Sequence, residues 1–76
     1  MDHPLKIYRD ANEIGQREIA RRVDRAVATV SRWEAGERAP RIEDMIAIER
    51  ATDGAVTVAA QAEWWARRQT REGAPA

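Results

Sequence analysis

The fold of this chain is decided by two stretches of sequence, Gln16-Arg17-Glu18-Ile19-Ala20-Arg21-Arg22-Val23 and Val30-Ser31-Arg32-Trp33-Glu34-Ala35-Gly36. Apolar residues in and just before them recur at the spacing that places side chains on one face of an α-helix. The residues of this face are Ile19, Ala20, Val23, Ala26, Val30 and Trp33. The pattern predicts two short amphipathic helices joined by a turn, with Gly36 ending the second.

The opposite face of the second predicted helix carries short side chains and one arginine. Its residues are Val27, Ala28, Ser31 and Arg32. Such a helix can enter a DNA major groove, because long side chains would crowd the base edges whereas Arg can donate two hydrogen bonds to guanine. We expect Val27 and Ala28 to meet thymine methyl groups there; the alternative is that both are minor core positions. Arg32 is expected to contact a base; the alternatives are a phosphate contact and a solvated helix surface.

The residues of these helices and their flanks resemble the helix-turn-helix of the Cro and phage-repressor family, the Xre-type regulators. The matching residues are Gln16-x-Glu18-Ile19-Ala20-x-x-Val23, Val30-Ser31-x-Trp33-Glu34-x-Gly36 and Pro40, with Pro4-Leu5-x-x-Tyr8-Arg9 before and Met45-Ile46-x-Ile48 after them. The likeness covers roughly residues 4–58, and residues 48–57 are similar to small Cro-like and YdaS-type antitoxin members. The resemblance implies an all-α, five-helix, lambda-repressor-like DNA-binding domain whose helices 2 and 3 form the helix-turn-helix.

The length of 76 residues is near the lower limit for a single hydrophobic core, so we predict one domain over residues 1–72 and a flexible tail over 73–76. Helices are expected at about 4–12, 16–23, 26–35, 41–52 and 58–70. No window alternates at period two, so strands are not expected. Asp2 is the expected N-cap of the first helix and Thr57 that of the fifth. In the fourth helix, the residues expected to face the core are Ile42, Met45, Ile46 and Ile48.

Three residues at the helix starts depart from the family pattern. Asp24 stands where the family usually has a glycine in the turn, and aspartate tolerates the left-handed conformation better than most residues. Ala26 and Arg41 stand where a serine or threonine commonly caps the next helix, and neither offers a short side-chain acceptor. We therefore expect either that Asp24 caps the third helix or that the start of this helix is frayed until DNA binds.

The composition excludes several classes of protein. The chain has no cysteine, so no disulfide or zinc–thiolate site supports this small domain. It has no apolar run near the ~20 residues of a membrane span and no leader resembling a signal peptide, so we expect a cytoplasmic, nucleoid-associated protein. It has no nucleophile–base pair, glycine-rich phosphate loop or metal-ligand cluster, so neither an enzyme nor a cofactor is expected.

Charge is distributed unevenly along the chain, although the formal net charge is zero. Residues 15–41 contain seven arginines and four acidic residues, a net charge of +3. Residues 42–64 contain five acidic residues and Arg50, a net charge of −4. Since DNA-binding surfaces are usually basic, this polarity would both attract DNA and orient the protein on it.

The resemblance implies further roles around the two motif helices. Phosphate contacts are expected from Gln16, Arg17, Thr29, Arg38 and Arg41. Gln16 would act, as the resemblance implies, beside the free N–H groups at the start of its helix. Arg38 and Arg41 flank a proline close to the N-terminus of the fourth helix, which favours phosphate binding; the alternative is that they are generic loop charges. Arg9 and Glu34 are expected to form a structural ion pair between the first and third helices; the alternative is two unrelated surface charges.

Trp64 and Trp65 are adjacent in the fifth predicted helix and point about 100° apart, so one core cannot easily bury both. We expect Trp65 to pack on the domain with Val58, Ala62 and Ala66, and the other tryptophan to lie in a dimer interface; burial of both in the core is the alternative. His3 has no partner at metal-ligand spacing, so no role is expected for it.

These features predict a sequence-specific DNA-binding transcriptional regulator that binds an inverted-repeat operator as a homodimer. The alternative is a protein-interaction module, either an antitoxin or a partner of a larger regulator, that uses the helix of Trp64 and Trp65. A toxin-like gene beside this one would favour the alternative.

Overall fold

The computed structural model describes residues 2–73, with the side chains of residues 2–68, as five α-helices joined by short loops. The helices are α1 (Pro4–Asn12), α2 (Gln16–Val23), α3 (Val27–Ala35), α4 (Ile42–Ala51) and α5 (Val58–Gly73). The predicted all-α fold is confirmed, and no strand occurs within residues 2–73. Observed and predicted bounds agree within one residue except at the end of α5. That helix continues to Gly73, and residues 74–76 of the predicted tail lie outside the described part of the chain.

The hydrophobic core lies between α2 and the helices around it. α2 packs against α3 and α4, and α5 packs against α4 and α1. The buried apolar residues of this core are Leu5, Ile19, Ala20, Val23, Val30, Trp33, Ile48 and Val56. The core positions predicted for α2 and α3 are therefore correct, except for Ala26. That residue is exposed because it is the N-cap of α3 and has an extended backbone, which takes its side chain off the helical face.

The prediction that four residues of α4 face the core is wrong for two of them. Ile42 is 57% exposed and Ile46 is 40% exposed, whereas Asp44 and Ile48 are buried. Successive residues of a helix are about 100° apart, so each isoleucine lies roughly 200° from the buried residue that follows it by two positions. α4 therefore turns an acidic residue inward and leaves an apolar pair on its outer face.

The start of α1 is capped by His3 and not by Asp2. His3 Nδ1 accepts a hydrogen bond from the Leu5 backbone N–H at 3.1 Å, and the imidazole is completely buried. Its ring lies edge-on to Trp64, with 4.8 Å between the ring centroids. The expectation that His3 has no role is therefore wrong, because the residue joins the first turn of α1 to α5.

The two tryptophans of α5 have the opposite arrangement from the one predicted. Trp64 is only 8% exposed and packs on His3, whereas Trp65 is half-buried, with the two indole rings 5.1 Å apart. Ala62 and Ala66, the expected neighbours of a buried Trp65, are exposed. The inward direction of α5 is set by Gln61 and Trp64, which are three residues apart and both buried.

Burial makes His3 a determinant of acid stability. Removal from water lowers the pKa of His3 to about 4, and the nearby Glu34 carboxylate only partly opposes this shift. Between pH 6.5 and 4 the unfolded chain therefore binds a proton that the folded protein does not, so stability falls as the pH falls. From pH 7 to pH 5 we expect the free energy of unfolding, measured by urea denaturation, to drop by about 2 kcal/mol.

The control for this effect is His3→Asn, because asparagine can still accept a hydrogen bond from the Leu5 N–H but does not titrate. This variant should lose little stability between pH 7 and pH 5. A variant that lost as much as the wild type over this interval would show that another group causes the acid sensitivity.

Some of the predicted turns and helix caps occur in the structure and others do not. Asp24 has a φ of 57°, so the aspartate does adopt the left-handed conformation in the turn between α2 and α3. Thr57 caps α5, because its Oγ1 accepts from the Ala60 N–H at 3.0 Å. Neither α3 nor α4 has a side-chain cap, so the suggested capping of α3 by Asp24 does not occur.

Candidate nucleic-acid interface

The α2–turn–α3 unit holds the outer face of α3 clear of the core. The turn is closed by the Asp24 and Arg25 N–H groups, which donate to carbonyl groups in the last turn of α2. Val30 and Trp33 then fix the inner face of α3 against the core. The residues of its outer face, Val27, Ala28, Ser31 and Arg32, are all exposed. The helix therefore presents short side chains and one guanidinium to the outside.

The arginines of the described part divide into paired and unpaired groups. Arg21 and Arg22 both bind Glu18, and the hydrogen bonds from the two guanidinium groups lower the pKa of that carboxyl to about 2. Arg9, Arg25 and Arg67 also have carboxylate partners. Among the side chains of residues 2–68, the arginines with neither an ion pair nor a hydrogen bond are Arg17, Arg32, Arg38, Arg41 and Arg50. Four of these five are residues expected to contact DNA.

A buried ion pair links α1 to the two helices of the motif, α2 and α3. Arg9 donates from Nε and Nη2 to the two carboxylate oxygens of Glu34, each at 2.7 Å, and from Nη1 to the Ile14 carbonyl at 3.0 Å. The Glu34 side chain is only 4% exposed. Gln16 Nε2 donates to Glu34 Oε1 at 3.0 Å, so the expected phosphate residue is also tied to this pair. Arg9, Gln16 and Glu34 thus hold α1, the start of α2 and the end of α3 in one geometry.

A pocket of about 240 Å³ lies beside the first turn of α3. Its polar lining consists of Arg25, Thr29, Arg38, Arg41, Glu43 and Asp44. Three of the expected phosphate residues, Thr29, Arg38 and Arg41, are therefore close together. The sequence did not indicate the contact between Arg25 and Asp44, whose charged atoms are 2.8 Å apart. The only pattern that could have indicated it is the helical spacing of Asp44 with Ile48, which places the carboxylate on the inner face of α4.

A second exposed surface is formed by α4 and α5. Glu49 accepts from the Val58 N–H at 2.7 Å and Gln61 donates to the Met45 carbonyl at 3.1 Å, so the two helices run in opposite directions. By this register Trp65, one turn beyond Gln61, lies level with the first turn of α4 and hence with Ile42. Trp65 Nε1 is buried and has no acceptor among the described residues. Three apolar side chains, Ile42, Ile46 and Trp65, therefore lie on neighbouring helices with part of their surface exposed.

Within residues 2–73, no helix has both the length and the hydropathy of a membrane span, and no group of acidic, histidine or cysteine side chains could hold a metal ion. A search of the curated proteins and of the solved structures finds no significant match to the chain. The family profile described as helix-turn-helix matches residues 5–57, which covers α1 to α4 and the loop before α5. This family binds DNA and is not enzymatic. The chain therefore belongs to the Cro and Xre-type helix-turn-helix family and is a DNA-binding regulator.

Proposed function

We propose that this regulator recognises a specific DNA sequence by inserting α3 into the major groove, and that it binds an inverted-repeat operator as a homodimer. The observation that carries the proposal is the outer face of α3. This face is exposed and is built from short side chains, with unpaired arginines both before and after it in the chain. Such a surface fits a groove about 12 Å wide that presents distinct donor and acceptor patterns for each base pair.

Base recognition falls to Val27, Ala28, Ser31 and Arg32 in this proposal. Val27 is 40% exposed, so its side chain is free to cover a thymine methyl group. Arg32 has no carboxylate partner, so its guanidinium can bind guanine without first breaking an ion pair. Ser31 and Ala28 are small enough to let the helix approach the base edges.

Phosphate contacts come from Gln16, Arg17, Thr29, Arg38 and Arg41. No side chain caps α2, so the N–H groups of its first turn stay available beside Gln16 and Arg17. Gln16 keeps one amide hydrogen and its carbonyl oxygen after donating to Glu34. Arg38 and Arg41 are exposed and unpaired around the pocket that also contains Thr29. Contacts of this kind position α3 without themselves reading sequence.

The homodimer is proposed to form through Trp65 with Ile42 and Ile46. A domain of this size gains stability by association, and one recognition helix reads too few base pairs for selectivity. Of the two tryptophans, Trp65 is the one assigned to the proposed interface, because Trp64 is buried against His3. An apolar surface of this kind between two helices is typical of a protein contact.

The same surface supports a second candidate function. If Ile42, Ile46 and Trp65 bind a different protein, the chain acts as an antitoxin or as the partner of a larger regulator, and DNA binding is secondary. The oligomeric state separates the two functions, since only the first needs a self-associating chain. The homodimer is preferred because it explains both the apolar surface and the groove-binding helix.

The test of groove insertion is Arg32→Ala on an operator selected from random DNA. We expect the variant to lose ~1–3 kcal/mol of specific affinity, measured at fixed salt, and to relax its preference at one base position. Arg50→Ala is the matched control, because Arg50 is also exposed and unpaired but lies at the far end of α4. If Arg32→Ala bound the operator as tightly and as selectively as Arg50→Ala, α3 would not read the bases.

A further inference from the structure

Arg25 is a partly exposed arginine to which the proposed DNA interface assigns no role. It lies in the turn immediately before the N-cap of α3, and its side chain is 45% exposed. Its Nη2 is 2.8 Å from Asp44 Oδ1, and its Nη1 donates to the Asp24 carbonyl at 3.0 Å. Asp44 is buried in the first turn of α4, so this bond fixes the guanidinium relative to both α3 and α4.

The fixed guanidinium lines the same pocket as Thr29, Arg38 and Arg41. A guanidinium has five N–H donors, and the two contacts above use only part of them. The pocket also contains two carboxylates, but Asp44 is already paired with Arg25, and Glu43 is exposed at its edge. Arg25 therefore has unused donors and lines one pocket with two further arginines and a hydroxyl, which together are the donor set that a phosphate oxygen requires.

We propose that Arg25 is a further DNA-contacting residue, and that one backbone phosphate of the operator binds in this pocket between Arg25, Thr29 and the arginines of the α3–α4 loop. Asp44 acts as a positioning residue, because it holds the Arg25 guanidinium toward the pocket. The inference rests on the proposed DNA-binding function. It adds a phosphate contact that does not depend on a capping side chain at the start of α3 or α4.

The experiment compares Asp44→Asn with the double variant Arg25→Gln and Asp44→Asn. Asparagine keeps the Oδ1 acceptor, so in Asp44→Asn the Arg25 guanidinium can still be held toward the pocket by a hydrogen bond. Neither variant leaves an unpaired charge buried, so both should remain folded by circular dichroism. They differ only in the charge of Arg25. We expect the slope of log K against log salt to fall by about one in the double variant relative to Asp44→Asn, with about fivefold weaker binding at 150 mM salt. The loss should be the same on operator and random DNA.

Equal slopes in the two variants would overturn the proposal, because Arg25 would then act on the fold alone. Arg38→Gln separates this failure from a failure of the proposed function. If Arg38→Gln lowers the slope while the double variant does not, the interface is correct and Arg25 is not part of it. If neither Arg38→Gln nor Arg32→Ala changes DNA binding, the interface itself is wrong and the Arg25 contact falls with it.

Discussion

Replacing Arg9 with methionine is expected to lower the free energy of unfolding by about 3–5 kcal/mol, the usual cost of leaving a buried charge without its partner. Glu34 is only 4% exposed and takes both of its short hydrogen bonds from this guanidinium. Methionine retains the aliphatic length of the arginine but none of its donors. A domain of 76 residues has a total stability of about 0.05–0.15 kcal/mol per residue, so this loss is a large fraction of the whole and should lower the Tm strongly. Thermal and urea denaturation measure the loss.

The control is the double variant Arg9→Met and Glu34→Gln. Glutamine removes the uncompensated charge and can still accept a hydrogen bond from Gln16. Since buried ion pairs contribute little net stability over neutral replacements, the double variant should recover most of the loss. Its DNA affinity should nevertheless remain below that of the wild type, because the link between α1, the start of α2 and the end of α3 is gone. A loss below 1 kcal/mol in Arg9→Met alone would show that the two charges act as a surface pair.

The helices of the motif could be predicted because their determinants are local. Ile19, Val23, Val30 and Trp33 repeat at helical spacing, and Gly36 adopts the left-handed conformation that ends α3. Periodicity over eight or nine residues therefore sufficed for α2 and α3. The same argument predicted the exposed face of α3, since the residues that a helix does not bury must face outward.

The inner face of α4 could not be predicted in the same way. Hydropathy alone places Ile42 and Ile46 in the core and Asp44 outside it, but the structure reverses both. Asp44 is buried because Arg25, nineteen residues earlier in the chain, supplies its counter-charge. A partner so distant leaves no pattern around Arg25, and the helical spacing of Asp44 with Ile48 is outweighed by the hydropathy of the two isoleucines. The apolar pair is thereby left on the surface, where it becomes available to another molecule.

The environment of the tryptophans involves a residue that is still more distant in the chain. Trp64 is the buried one of the two, and its ring packs against the buried imidazole of His3. A histidine near the start of a chain has no apolar pattern around it, so nothing in the sequence indicated that it would cap α1 and enter the core. Net charge was a similarly poor guide, because Glu18 neutralises Arg21 and Arg22, which are not in the proposed interface.

Replacing Trp65 with glutamate is expected to yield a folded monomer that binds its operator about 10²–10⁴-fold more weakly, which is the usual gain from linking two binding modules. Trp65 is half-buried and lies level with Ile42, so a carboxylate there would have to be buried in the proposed dimer contact. Affinity for a single half-site should be unchanged, because the residue is not part of α3. Sedimentation and binding to whole and half operators measure both effects.

Two further variants make this test specific. Ile42→Glu should act like Trp65→Glu, because it places a charge on the same surface. Ile7→Glu is the matched control: Ile7 is 51% exposed and apolar but lies on α1, outside the proposed interface, so this variant should still dimerise and keep its operator affinity.

A two-fold dimer would place two copies of α3 about 34 Å apart, so the half-sites should be inverted and one helical turn apart. A wild-type protein that is monomeric at micromolar concentration, free and on DNA, would overturn the dimer. A dimer that survived both charged variants would instead place the interface on another surface.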